Sequence, residues 1–136
     1  MPDHHLAGPP VPISTTAPQP PPLITETGRC IQDLVEAEMR AMGASGAAVA
    51  DDVVKRKAQG LAKYGTVLRP FNGRDATVDL YQELLDAAQY ARQILAEELI
   101  AGAAGPVTGI YPLLLMMAIR VREMIADQEL DGEIGR

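Results

Sequence analysis

Apolar residues recur at helical spacing almost everywhere after residue 22, and no stretch alternates apolar and polar positions for long enough to predict a strand. A first helix is predicted over 26–42, with Ile31, Leu34, Val35 and Met39 on its apolar side and a break at Gly43 or Gly46. A second covers 47–63, where Gly65 stops it and Pro70, Asn72 and Gly73 fill the connection with turn formers. The third spans 76–101 behind an Asp75 cap, with Leu80, Leu84, Ala87, Ala88, Ala91 and Leu95 gathered on a packing arc; Gly102, Gly105 and Pro106 end it. The fourth starts near Tyr111 and Pro112, proline being at home in a first helical turn, and fades in the charged sequence DQELDGEIGR. The expected fold is all-α, a bundle of four helices.

That fourth helix carries Leu113, Leu114, Leu115, Met116, Met117, Ala118 and Ile119 in succession, apolar around its whole circumference. The run is too short for a bilayer, which needs about 20 apolar residues, so no membrane is expected. Burial between subunits is expected instead, in a homodimer or homotetramer.

Residues 1–22 hold eight of the eleven prolines and no periodicity, which predicts a flexible, partly polyproline II tail; a helical domain over 23–130 and a short C-terminal tail over 131–136 follow. No cationic segment followed by a long apolar one opens the chain, so no signal peptide is expected. The only histidines, His4 and His5, fall in the tail, where two adjacent imidazoles make a poor metal site. Cys30 is the single cysteine, which excludes an internal disulfide and predicts a reduced, cytoplasmic setting. With no histidine near it in the helical domain, Cys30 is not expected to act as a nucleophile. Twelve basic against eighteen acidic residues leave a net charge of −6, which argues against binding a nucleic-acid backbone. A nucleotide carrying its own magnesium remains compatible.

The candidate chemistry lies in 63–90. Asp79, Glu83 and Asp86 recur at i, i+4 and i+7 and project from one side of the third helix, with Tyr90 continuing the line. No Lys or Arg stands three or four residues from any of the three, so a divalent cation is the natural counter-charge. A solvated amphipathic helix face is the alternative. On the second helix Asp52, Arg56, Gln59 and Lys63 share a narrow arc. Antiparallel packing with short loops would set Asp52 opposite Asp86 and bring Glu36 and Glu38 near that level, with Asp33 a turn away.

The segment KAQGLAKYGTVLRPFNGRDATVDLYQELLDAAQYARQ, residues 57–93, keeps KYG, Leu68, NGRD, Asp79 and YQELLD in order. In these motifs it resembles the phage-encoded dATP/dGTP diphosphohydrolases, the MazG-like group called MazZ that accompanies replacement of adenine by 2-aminoadenine in phage DNA. The likeness covers little more than a quarter of the chain. The wider all-α NTP pyrophosphohydrolase superfamily, as the resemblance implies, forms helical oligomers, cleaves nucleoside triphosphates between the α and β phosphates, and binds magnesium through an ExxE pair on one helix and ExxD on the next. Glu83-Leu84-Leu85-Asp86 matches the second half. The first half departs, because Asp51 and Asp52 have no acid at position 55 and the only acidic i, i+3 pair upstream is Asp33 with Glu36.

The resemblance thus implies magnesium-dependent hydrolysis, manganese being an alternative, of dGTP and dATP to monophosphate and pyrophosphate. Glu36, Asp52, Asp79, Glu83 and Asp86 are the expected metal ligands, and Asp52, Glu83 and Asp86 the expected catalytic set. Arg56, Lys63, Arg69 and Arg74 are candidates for phosphate contacts, arginine because its planar fork suits phosphate oxygens, and Asn72 for a base edge. Two other readings stay open: a noncatalytic helical oligomer whose acidic faces are solvated, and a house-cleaning nucleotidase with another base preference.

Overall fold

A computed structural model describes residues 13–134, and the described residues form four helices and no strand. The all-α expectation is met. The helices pack as two hairpins: α1 (Ile31–Arg40) on α2 (Ala44–Tyr64), and α3 (Ala76–Ile100) on α4 (Val107–Ile134). One compact unit is Gln19–Arg74; the other holds α3 and α4 together with residues 13–18. None of the described helices is long and apolar enough to cross a membrane.

The first hairpin is antiparallel. Lys57 of α2 reaches back to Asp33 in the first turn of α1 at 2.6 Å, while Arg40 at the far end of α1 meets Asp51 at 2.9 Å. At the tight connection Gly43 takes φ 91°, and a Cβ placed on Gly46 would land on the Met39 carbonyl oxygen, so the two backbones touch there and only glycine fits. Helix α1 starts at Ile31, five residues later than periodicity suggests. Gly28 at φ 75° breaks the chain direction, and the Ile31 N–H goes to the Leu68 carbonyl at 2.8 Å instead of into an earlier helical turn. A tertiary bond therefore sets that boundary.

In the second hairpin the Asp75 carboxylate accepts from the N–H groups of Thr77 (2.9 Å) and Val78 (3.2 Å), the predicted cap. Gln128 of α4 donates to the Thr77 hydroxyl at 3.0 Å, which places the end of α4 beside the start of α3 and makes this pair antiparallel as well. Leu84 packs with Ala118 and Val121, flanked by Tyr81 and Leu114, and Ile125 is fully buried. On α3 the packed positions are Val78, Leu84, Ala88 and Ala91, so the arc is rotated from the predicted one; Leu80 is exposed. Helix α4 begins at Val107, not at Tyr111, and contains Pro112 in its second turn. Val107 is buried at the start of the helix, and Pro112, having no N–H, leaves one helical hydrogen bond unmade. The helix also runs on to Ile134, through most of the predicted 131–136 tail.

Residues 13–22 carry no helix or strand, in keeping with their prolines, but they are held. Gln82 donates to the carbonyls of Thr15 (3.3 Å) and Ala17 (2.9 Å), and Arg74 donates to that of Pro20 at 2.6 Å. The rest of the predicted tail, 1–12 with His4 and His5, lies outside the described residues.

Replacing Gly46 by alanine forces α1 and α2 apart at their closest point. Overpacking of this kind costs about 1–3 kcal/mol. A urea midpoint lowered correspondingly for Gly46→Ala, with the slope unchanged, is the expected outcome.

Candidate functional site

The packing of α3 on α4 decides where the carboxylates point. At about 100° per residue, Asp79, Glu83, Asp86 and Tyr90 fall within an arc of about 60°, on the side of α3 away from Leu84, Ala88 and Ala91. Glu83, Asp86 and Tyr90 are exposed and Asp79 is half-buried. Neither Glu83 nor Asp86 forms an ion pair among the described residues. The structure thus brings the four residues onto one open face, as their spacing predicts.

The upstream carboxylates stand in the other unit, each beside a cation. Arg40 bridges Glu36 (3.1 Å) and Asp51 (2.9 Å), so those two carboxylates sit across a single guanidinium. Their attraction raises the Arg40 pKa, Asp51 contributing more than Glu36. Glu36 is therefore levelled with Asp51, one residue from the predicted Asp52. Asp52 itself lies 3.8 Å from Lys55, both side chains about three-quarters exposed, a contact of little energetic weight. Asp33 is held by Lys57, whose hydrogen bond pulls the Asp33 carboxyl below its ordinary range, while Asp33 in turn raises the Lys57 ammonium. Among the described residues no group of three or more His, Cys, Asp or Glu side chains is gathered closely enough to form a metal cage.

Of the predicted phosphate contacts, Arg56 and Lys63 are exposed and make no ion pair among the described residues. Lys63 sits over the Tyr64 ring at 4.9 Å and lowers the Tyr64 phenol pKa, with smaller contributions from Arg74 and Arg56. Arg69 and Arg74 are turned to the backbone: Arg69 donates to the Gly28 carbonyl at 2.8 Å and Arg74 to that of Pro20. Asn72 is 8% exposed. Its side-chain oxygen accepts the Arg74 N–H at 3.1 Å and its carbonyl accepts the Leu23 N–H at 2.7 Å, so it builds the turn and is not offered to a base edge.

Sequence reasoning passed over Phe71. It takes φ 55° and is 90% exposed. The available signal was its place between Pro70 and Asn72-Gly73, where turn formers leave an apolar ring no core to enter.

Comparison of the chain with known families, curated proteins and solved structures finds no match.

The Asp33–Lys57 clasp has a definite pH signature. Asp33 is depressed in the folded chain, so its contribution is present above its unfolded pKa and is lost as pH falls through the folded value; Lys57 is raised, so its contribution is lost as pH rises through its own folded value. The difference in melting temperature between the unmodified protein and Asp33→Asn should be constant around neutrality and shrink toward zero in acid below the ordinary aspartate range.

Proposed function

We propose that the chain is a magnesium-dependent pyrophosphohydrolase of purine deoxynucleoside triphosphates, converting dGTP and dATP to the monophosphate and pyrophosphate. The observation that carries this reading is the α3 face, where Glu83 and Asp86 stand exposed beside Asp79 with no ion pair of their own among the described residues. Each like-charge neighbour costs about 0.2–0.5 kcal/mol, a repulsion that a divalent cation offsets. The motifs shared by 57–93 with the MazG-like enzymes add the substrate class.

The donor set suits magnesium, which prefers carboxylate oxygens and is commonly held by one or two carboxylates with water and substrate phosphates, so a closed protein cage is not needed. Glu83 and Asp86 would hold the ion, with Asp79 a turn earlier. When bound, the ion supplies charge neutralisation and lowers the pKa of a coordinated water. Arg56 and Lys63 would meet the triphosphate charge, and positioning with charge stabilisation accounts for most of such a reaction. A single cysteine and a nucleotide substrate fit a cytoplasmic enzyme, in a phage-infected host if the MazZ likeness holds.

The active form we infer is a homodimer or homotetramer. Leu113, Met116, Met117 and Ile119 remain exposed and border, with Arg120 and Glu123, an open apolar groove of about 520 Å³. A monomer rarely leaves such a patch in water. The noncatalytic reading draws on a different observation, the Arg40 and Lys57 contacts that already occupy Glu36 and Asp33.

With magnesium, dGTP should yield dGMP and pyrophosphate. Release of orthophosphate alone, or no turnover of any purine deoxynucleotide, counts against the proposal. Asp86→Asn should abolish turnover without lowering stability in the absence of metal, and adding Glu83→Gln should then cost little more, because the two act as a unit. Full activity in Asp86→Asn would remove the assignment of Glu83 and Asp86 to the metal site, and no turnover in the unmodified protein would leave the noncatalytic reading.

The apolar face makes its own prediction. Leu115→Glu places an unpaired charge in the proposed subunit interface, which costs about 3–5 kcal/mol of association. Light scattering should find the unmodified protein as a dimer or tetramer and the variant as smaller species; a monomeric unmodified protein contradicts the assembly.

A further inference from the structure

Phe71 is the only phenylalanine in the chain, and its backbone sits in the left-handed region that bulky residues avoid. Such a conformation persists only where its surroundings over-determine it. Before it, Leu68 accepts the Ile31 N–H at 2.8 Å and donates its own N–H to the Gln32 side chain at 3.0 Å, and the Pro70 ring lies against Gly28. After it, the buried Asn72 is tied to Leu23 and Arg74, and Leu23 packs over Gly73 so closely that a Cβ there would stand 2.8 Å from it. The chain is therefore clamped on both sides of a residue whose ring makes almost no contact with the protein.

An aromatic ring on a clamped backbone, with only two side-chain torsions to fix, loses little conformational entropy when a flat partner settles on it. The surroundings say what kind of partner. In the same unit, Lys63, Arg74 and Arg56 all act on the Tyr64 phenol, so cations gather at the end of α2 from which this loop departs. Leu23 and Ile24, both exposed, add apolar surface beside the turn that Leu23 is bonded to. An exposed ring with apolar neighbours and nearby positive charge is the surface that takes a nucleobase attached to phosphates.

We propose that Phe71 stacks on the purine base of the nucleotide and is a specificity residue for it. The assignment rests on the nucleotide reading above and replaces Asn72, which is buried, as the base contact. Stacking reads the π face and not the hydrogen-bonding edge, so Phe71 favours large purine rings over pyrimidines without separating guanine from adenine.

The chain has no tryptophan, so Phe71→Trp installs a single emitter at the proposed contact. With magnesium, dGTP should quench this emission saturably and tripolyphosphate, which has no base, should not. Phe71→Ala should raise KM for dGTP about tenfold or more with kcat little changed, since stacking of a base on an aromatic residue has that magnitude. Phe71→Gly should lose affinity equally while melting at the same or a higher temperature, because glycine accepts the left-handed backbone; a residue kept for structure would not behave so. Equal quenching by tripolyphosphate, or none by dGTP, overturns the inference. So does an unchanged KM in Phe71→Ala accompanied by a smaller particle in light scattering, which would make Phe71 a contact between copies. The two proposals fail separately: an unmodified protein that turns over no purine deoxynucleotide while Phe71→Trp is still quenched by dGTP removes the hydrolase alone, and active enzyme with an unaffected Phe71→Ala removes the stacking alone.

Discussion

Leu84 of α3 closes against Ala118 and Val121 of α4, and that contact orients everything else on α3. Ala88 and Ala91 continue the seam with small side chains. Because side chains on a helix are fixed in angle relative to one another, packing this seam turns Asp79, Glu83, Asp86 and Tyr90 to the opposite side. A core made largely of alanine and valine buries little area per residue. At about 1.5–3 kcal/mol for each fully buried large side chain, Ile125 and Val78 contribute strongly, but there are few like them. The same economy leaves Leu113, Met116, Met117 and Ile119 in water, so the hairpin that presents the carboxylates also presents an apolar face.

The unit Gln19–Arg74 shows a different compromise. Its helices bury little apolar surface, α1 having no fully buried residue; they meet in a close backbone contact at Gly46, and the partly exposed pairs Asp33–Lys57 and Arg40–Asp51 mark their register. The connection after α2 is then clamped to 23–32 by backbone bonds, and the strain this permits is spent on exposing Phe71. Local rules are broken there and the neighbouring bonds hold the break in place.

Much of α3 was legible because its signals are local: Asp75 caps the N–H groups it precedes, and the carboxylate spacing fixes their common face whatever the helix packs on. Boundaries set by distant partners were not. The start of α1 depends on Leu68, thirty-seven residues further on, and α4 starts at the buried Val107, five residues ahead of its proline. The partners of Glu36 and Asp33 depend on hairpin register, where one residue of slip exchanges Asp52 for Asp51. Asn72 is buried and Phe71 exposed because the turn consumes the polar side chain and has no interior for the ring. The prolines of 13–22 signalled absence of regular structure correctly, but not that Gln82 and Arg74 would bind the carbonyls which such an extended segment leaves free.

The central claim is that the outward face of α3 binds a divalent cation, and thermal unfolding with and without that ion tests it most directly. A ligand that binds only the folded chain stabilises it by RT ln(1 + [L]/Kd), so the melting temperature should climb with magnesium or manganese concentration in the unmodified protein and stay level in the Glu83→Gln, Asp86→Asn double variant. An equal climb in both proteins, or none in either, would contradict the account.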